Sequence, residues 1–279
     1  MMKPLAFLIA LVLPAVAAAQ QRPLVTEDPE TIGAGRLLVE AGLDYTRDAL
    51  YPVSGLEGNL LRFPTVGLSI GVSSIAEIQI DGGFRSRLTI SDRRPAPLAS
   101  MLDVTGDSTS AVDDFAIGAK IRLATEGVSR PAVGFRFATE LPNASNESGL
   151  GLDTTDFFVS GLVAKTIQSV RVVGNVGLGI LGDPTRGDRQ NDVLTYGLSF
   201  ARALTSAAEV VGEINGRAST RGGEAPPGTD SRSSVRFGAR YTIGTWRADT
   251  ALTFGVTSRD PGVGLSAGFT YVFDAFTVP

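Results

Sequence analysis

The sequence predicts an all-β fold: a transmembrane antiparallel β-barrel of about 12 strands. Three observations predict it. Residues alternate apolar and polar with period two along most of the 279-residue chain. The connections between the alternating runs are short and long in turn. The first residues have the layout of an export signal.

The clearest run is 78–90, Ile-Gln-Ile-Asp-Gly-Gly-Phe-Arg-Ser-Arg-Leu-Thr-Ile. Ile78, Ile80, Phe84, Leu88 and Ile90 share one parity, and Gln79, Asp81, Arg85, Arg87 and Thr89 the other. Period two denotes a strand with two unlike faces. A strand crossing a membrane in a barrel needs about 9–11 residues, apolar toward lipid and polar toward the lumen.

At the N-terminus, Lys3 supplies a positive charge, 4–16 form a short apolar stretch, and Ala17-Ala18-Ala19 offers small residues for cleavage before Gln20. Such a segment is a secretory signal, too short for a spanning helix. The expected organisation is a signal peptide at 1–19, an irregular periplasmic leader at 20–34, the barrel at 35–273 and a tail at 274–279.

The strands follow in order. Over 35–48, Leu37, Val39, Ala41, Leu43 and Tyr45 point outward against Arg36, Glu40, Asp44 and Thr46. Over 61–71, Val66, Leu68 and Ile70 stand against Thr65, Gly67 and Ser69. The run already described extends over 76–90 and places Glu77 inward. Over 114–124, Phe115, Ile117, Ala119, Ile121 and Leu123 oppose Asp114, Lys120 and Arg122. Over 132–141, Val133, Phe135, Phe137 and Leu141 oppose Arg136 and Glu140. The 156–165 stretch reads either way.

The second half repeats the pattern. Over 170–181, Val170, Val172, Val176, Leu178 and Ile180 oppose Arg171 and Asn175. Over 193–202, Leu194, Tyr196, Leu198 and Phe200 oppose Thr195, Gly197 and Ser199. Over 208–217, Val210 and Ile214 oppose Glu209, Glu213, Asn215 and Arg217. Over 234–243, Val235, Phe237, Ala239 and Tyr241 oppose Arg236 and Arg240. Over 246–256, Leu252, Phe254 and Val256 oppose Arg247, Asp249 and Thr253. Over 263–273, Leu265, Ala267, Phe269, Tyr271 and Phe273 oppose Ser266, Gly268 and Thr270.

Short turns fall near 73–74, 125–130, 168–169, 204–206 and 244–245. Longer loops fall at 49–58, 91–112, 142–155, 182–191, 219–232 and 258–262. Sorting of this kind is the layout of outer-membrane barrels, with short turns in the periplasm. Outer-membrane lipid is then a partner. A soluble periplasmic β-barrel or sandwich is the competing architecture.

Composition narrows the chemistry. There is no His and no Cys. A Ser–His triad, a Cys nucleophile, disulfides and the usual zinc sites are thereby excluded. Glu209, Glu213 and Asp249 face many arginines, and ion pairing accounts for them without catalysis. No catalytic residue, metal ligand or cofactor is expected. Gly177-Leu178-Gly179-Ile180-Leu181-Gly182 fits G-x-G-x-x-G, but it ends a strand rather than opening a helix. Asp103, Asp107, Asp113 and Asp114 lack the spacing of a calcium loop. The net charge of −4 is mixed along the chain, with no basic block for nucleic acid.

The inward charges are the candidate lumen-lining residues: Arg36, Glu40, Asp44, Glu77, Asp81, Arg85, Arg87, Lys120, Arg122, Arg136, Glu140, Arg171, Glu209, Glu213, Arg217, Arg236, Arg240, Arg247 and Asp249. Their signs nearly balance. They either line a water path or pair across strands and fill it. About 12 strands lie between filled eight-stranded barrels and open porins. A narrow, partly obstructed passage is expected.

Two resemblances add to this. Ser266, Gly268, Tyr271 and Phe273 resemble the C-terminal signal by which outer-membrane barrels engage the barrel assembly machinery, although the chain continues past Phe273. The opening Arg22-Pro23-Leu24-Val25-Thr26-Glu27-Asp28-Pro29-Glu30-Thr31, then Gly35, Glu40, Gly42, Tyr45, Arg47 and Asp48, resembles a family of outer-membrane proteins labelled for the meta-pathway of phenol degradation. The ending Gly268-Phe269-Thr270-Tyr271-Val272-Phe273 agrees with it. The resemblance implies a transporter for small, aromatic or hydrophobic solutes, and it carries no site residues with it. The alternative is a structural or surface-interaction barrel with a sealed lumen.

Overall fold

The computed structural model describes residues 22–278. The signal peptide expected at 1–19 lies outside the described residues. Twelve antiparallel strands form one closed barrel. They are β1 (Arg36–Tyr51), β2 (Leu56–Gly71), β3 in two segments (Ala76–Gly83 and Ser86–Arg93), β4 in two segments (Ser108–Ala111 and Ala116–Ala124), β5 (Ala132–Glu140) and β6 (Asp156–Ile167). Then come β7 (Val170–Gly182), β8 (Gln190–Ala203), β9 (Ala208–Ser219), β10 (Arg232–Ile243), β11 (Trp246–Gly255) and β12 (Val263–Asp274).

Each strand pairs with the next, and β1 pairs with β12 from Arg36↔Asp274 to Arg47↔Val263. Closure leaves no free edge along the strands. The outer surface carries side chains that a soluble fold would bury: Leu178, Leu198, Phe237, Leu252, Phe254 and Phe269 are all more than two-fifths exposed. At the short-turn end Tyr271 stacks on Trp246 (4.3 Å) and on Phe273 (5.2 Å), part of an aromatic rim. The 156–165 stretch resolves into Phe157, Val159 and Val163 outward and Phe158, Ser160 and Leu162 inward. Apolar residues on its lumen face are the reason its parity is ambiguous in sequence.

The expected 49–58 loop is a correction. Both strands continue through it, and only 52–55 turn. The hairpin tip is buried: Val53 and Ser54 touch the loops that follow β3 and β5, through Leu98 N to Val53 O (3.0 Å) and Ser54 Oγ to Gly149 O (2.8 Å). Beneath it Ala49, Leu56 and Leu88 form a small apolar cluster with Leu60, Leu102 and Leu150.

Arg85 and Arg87 are a second correction. Between the two halves of β3, Phe63-Pro64 faces Phe84-Arg85, with Phe63 N donating to Arg85 O (2.8 Å) and Phe84 N to Pro64 O (3.0 Å). Phe84 and Arg85 are both exposed, so the alternation slips by one residue there. One slipped residue exchanges the two faces of the strand. Above the slip Ser86 and Leu88 are buried on the inside, and Arg85 and Arg87 are exposed on the outside, Arg87 opposite the exposed Leu61. Leu88 therefore also reverses its expected direction.

Candidate functional site

The residues 22–34 are irregular, but they do not trail beneath the barrel. They run through its lumen. The wall is shaped to receive them, chiefly by glycine. Gly42 and Gly268 are cross-strand partners, and a Cβ on either would collide with the Arg22 guanidinium. Thr26 sits against Gly197, Pro29 against Gly134, and the Gly33 carbonyl against Gly71. Gly35 N then donates to Gly71 O (2.8 Å), which delivers the chain into β1.

Charges fix the segment along its path. Arg22 donates to Thr65 Oγ1 (3.2 Å) and Ala267 O (3.1 Å) and lies 3.5 Å from Asp249. Glu213 accepts from Val25 N (3.0 Å), Thr26 N (2.9 Å) and Thr26 Oγ1 (2.8 Å). Arg236 donates to Pro23 O and Arg240 to Arg22 O (2.8 Å). Asn175 both accepts from Glu27 N (2.7 Å) and donates to Glu27 O (2.8 Å). Asp28 takes a two-pronged contact from Arg171, both at 2.8 Å. Glu30 pairs with Arg122 (2.6 Å), and Ile32 N donates to Glu77 (2.7 Å).

The centre of this network is Lys120, 1% exposed, held between Glu27 (3.2 Å) and Glu77 (3.1 Å). Arg136 adds contacts to Glu27 (3.2 Å), Gln79 (2.7 Å) and Asp81 (3.7 Å). Burial alone pushes the Glu27 carboxyl up, but Lys120 and Arg136 outweigh it and hold the group below the usual carboxylate range. Charges this deep persist only when paired.

The other candidates take these places. Glu40 is buried and accepts from Thr270 Oγ1 (3.1 Å) and Arg22 N (3.4 Å). Glu209 pairs with Arg240 (3.0 Å), Arg247 donates to Thr242 Oγ1 (3.3 Å), and Arg36 sits at the rim beside Asp274 (3.6 Å). Asp44, Glu140 and Arg217 lie higher and line open space. Above the crossing segment is a cavity of about 650 Å³, floored by Arg22, Leu24, Val25, Thr26 and Glu27. It shares Asp44, Arg62, Glu140, Arg217 and Arg232 with a second cavity of about 530 Å³ that reaches Tyr51, Val53 and Leu152 under the hairpin tip. Both volumes suit small molecules.

Several functional residues escaped the sequence reading. Arg62 bonds Asp113 (2.7 Å) inside the barrel, where Ser86 also reaches Asp113. Simple alternation along β2 puts Arg62 outside; the slip at Phe63-Pro64 brings it in. Arg22, Glu27, Asp28 and Glu30 lay in a segment without period. Arg232 sat at the start of β10, inside an expected loop. Among the described residues, no group of three or more candidate metal ligands converges.

The fold has known counterparts. The COG4313 outer membrane channel from Pseudomonas putida F1 superposes with a TM-score of 0.60 at 13% identity, over 88% of this chain and 98% of that one. The NanC porin gives 0.52 at 10% identity, over 84% and 98%. The translocator domain of the autotransporter NalP from Neisseria meningitidis gives 0.50 at 14%, over 86% and 89%. At these identities the likeness is one of fold. No family model matches the chain, and no curated relative does.

Proposed function

We propose that this protein is an outer-membrane channel that passes small, aromatic or otherwise hydrophobic solutes by diffusion. The carrying observation is the combination of two surfaces on one closed sheet: an apolar exterior, and an interior chamber that is polar and open above the crossing segment 22–34. A soluble barrel has no use for the exterior. A purely structural barrel has no use for the chamber. Phe158, Leu162, Tyr51, Val53 and Leu152 give the chamber apolar patches among its charges. The channels and porins of like fold support the reading.

In this account the segment 22–34 is the floor of the chamber. The ion pairs around Lys120 keep it there, and movement of the floor regulates passage. Ser266, Gly268, Tyr271 and Phe273 are the residues through which the barrel assembly machinery would insert the chain. The experiment is twofold. The protein should fractionate with the outer membrane, and liposomes containing it should take up small solutes faster than empty ones. Recovery in the soluble periplasm without detergent, or uptake no faster than in empty liposomes, would contradict it.

A further inference from the structure

Arg217 on β9 and Arg232 on β10 are direct cross-strand partners, and both line the upper and the lower cavity. Like charges directly opposite each other destabilise a sheet. Arg22, Arg62, Arg122, Arg136, Arg171, Arg236 and Arg240 each meet a carboxylate; among the described residues Arg217 and Arg232 do not. Arg217 donates to two backbone carbonyls, Asp230 O (3.0 Å) and Gly228 O (2.6 Å). The Arg232 side chain forms no hydrogen bond or ion pair among the described residues, and its Nε is buried without a partner. A buried donor left unmade is costly. Glu140 and Asp156 share the chamber without forming an ion pair to either guanidinium, and Asp156 is engaged with Gly182 N (2.9 Å).

The surroundings say what would complete the pair. A guanidinium matches a carboxylate with two parallel donors. Gly228, whose carbonyl holds Arg217, packs against Val53 and Leu152, and Tyr51 lines the same space. An anion placed on the arginines thus has an apolar wall beside it.

We infer that Arg217 and Arg232 form a binding subsite for the carboxylate of a small organic acid whose body is apolar, an aromatic acid among them. This names a solute class for the channel of the preceding section and rests on that reading for its role in transport. As a binding site it stands on its own geometry.

The test is calorimetric titration of the full mature chain in detergent with benzoate and with benzamide, its neutral counterpart of similar shape. Benzoate should bind at least about tenfold more tightly, and Arg232→Gln should abolish most of that difference while leaving benzamide unchanged. Arg232→Lys keeps the charge but not the planar fork and should recover only part. Without ligand, Arg232→Gln should melt no lower than the parent, since it removes a like-charge contact. Equal binding of benzoate and benzamide would overturn the subsite, as would benzoate binding untouched by Arg232→Gln. Conductance in planar bilayers is read in parallel with potassium chloride alone. Ionic conductance without benzoate preference removes the subsite and leaves the channel. Benzoate preference without conductance removes the channel and leaves the subsite.

Discussion

Glu27 of the N-terminal segment and Lys120 of β4 meet at 3.2 Å inside the barrel, where Lys120 is 1% and Glu27 is 5% exposed. The pair joins a stretch without secondary structure to the wall, and Glu77 completes the site from β3. Replacing Lys120 with Ala leaves the buried Glu77 without a cation and Glu27 with Arg136 alone. Breaking a buried pair in this way costs about 3–5 kcal/mol. Lys120→Ala should therefore unfold at markedly lower denaturant than the parent, followed by heat-modifiable gel migration. Equal midpoints would mean that the site is wet and the pair is not structural.

Acid should release the floor. Glu27 is held below its usual range when docked, so docking gains stability that is full above the ordinary carboxylate value of about 4.3 and is lost as pH falls through the lower docked value. Lys120, Arg136, Gln79, Glu77 and Asp81 all face this group. Protonating Glu27 leaves the two cations short of a partner. Single-channel conductance should rise or begin to flicker well below pH 4.3. Glu27→Gln should show the same behaviour already at neutral pH. A conductance indifferent to pH in both proteins would rule this latch out.

The glycine seats give a prediction without charge. A Cβ at Gly197 would lie 2.8 Å from Thr26 Oγ1. Gly197→Val fills the seat and should displace the segment there while the β8 ladder remains. A cysteine placed at Thr26 should then react with a water-soluble thiol reagent faster in the Gly197→Val background. Equal labelling rates would show that the segment does not rest on this glycine.

The outer face is tested by Leu198, 54% exposed near the middle of β8. Leu198→Arg should cost about 2–4 kcal/mol in a bilayer, whereas Leu198→Phe should be nearly neutral. If the two substitutions cost the same in lipid vesicles, Leu198 does not face hydrocarbon.

Much of this architecture is legible in sequence because a closed barrel enforces strict alternation. Leu198 beside Ser199, or Leu178 beside Gly177, can face only one way each once the strand is recognised. Twelve strands and the sorting of turns follow from the same rule. Alternation failed where the sheet breaks it. The slip at Phe84-Arg85 reversed Arg85, Arg87 and Leu88, and the slip at Phe63-Pro64 hid Arg62. No local signal in Phe-Arg-Ser announces a slip, because the pairing partner that forces it is distant in sequence. The floor was invisible for a different reason. Residues 22–34 have no period of their own, since their order comes from residues on many strands. Gly42, Gly197 and Gly268 mark the seats, but in sequence they look like the glycines that merely curve a sheet. The wall's own charges were easier: Lys120, Arg171 and Glu213 were visible as inward groups, but not their partners in the floor.

The central claim is that the lumen is a passage floored by the N-terminal segment. Its most direct measurement is planar-bilayer conductance of a chain beginning at residue 20 and lacking residues 22–31, compared with the chain beginning at residue 20 with that segment intact, at neutral pH, with folding of both checked by heat-modifiable migration. The account predicts a folded barrel whose conductance is severalfold larger and no longer responds to acid. A folded barrel with the conductance of the parent would contradict it.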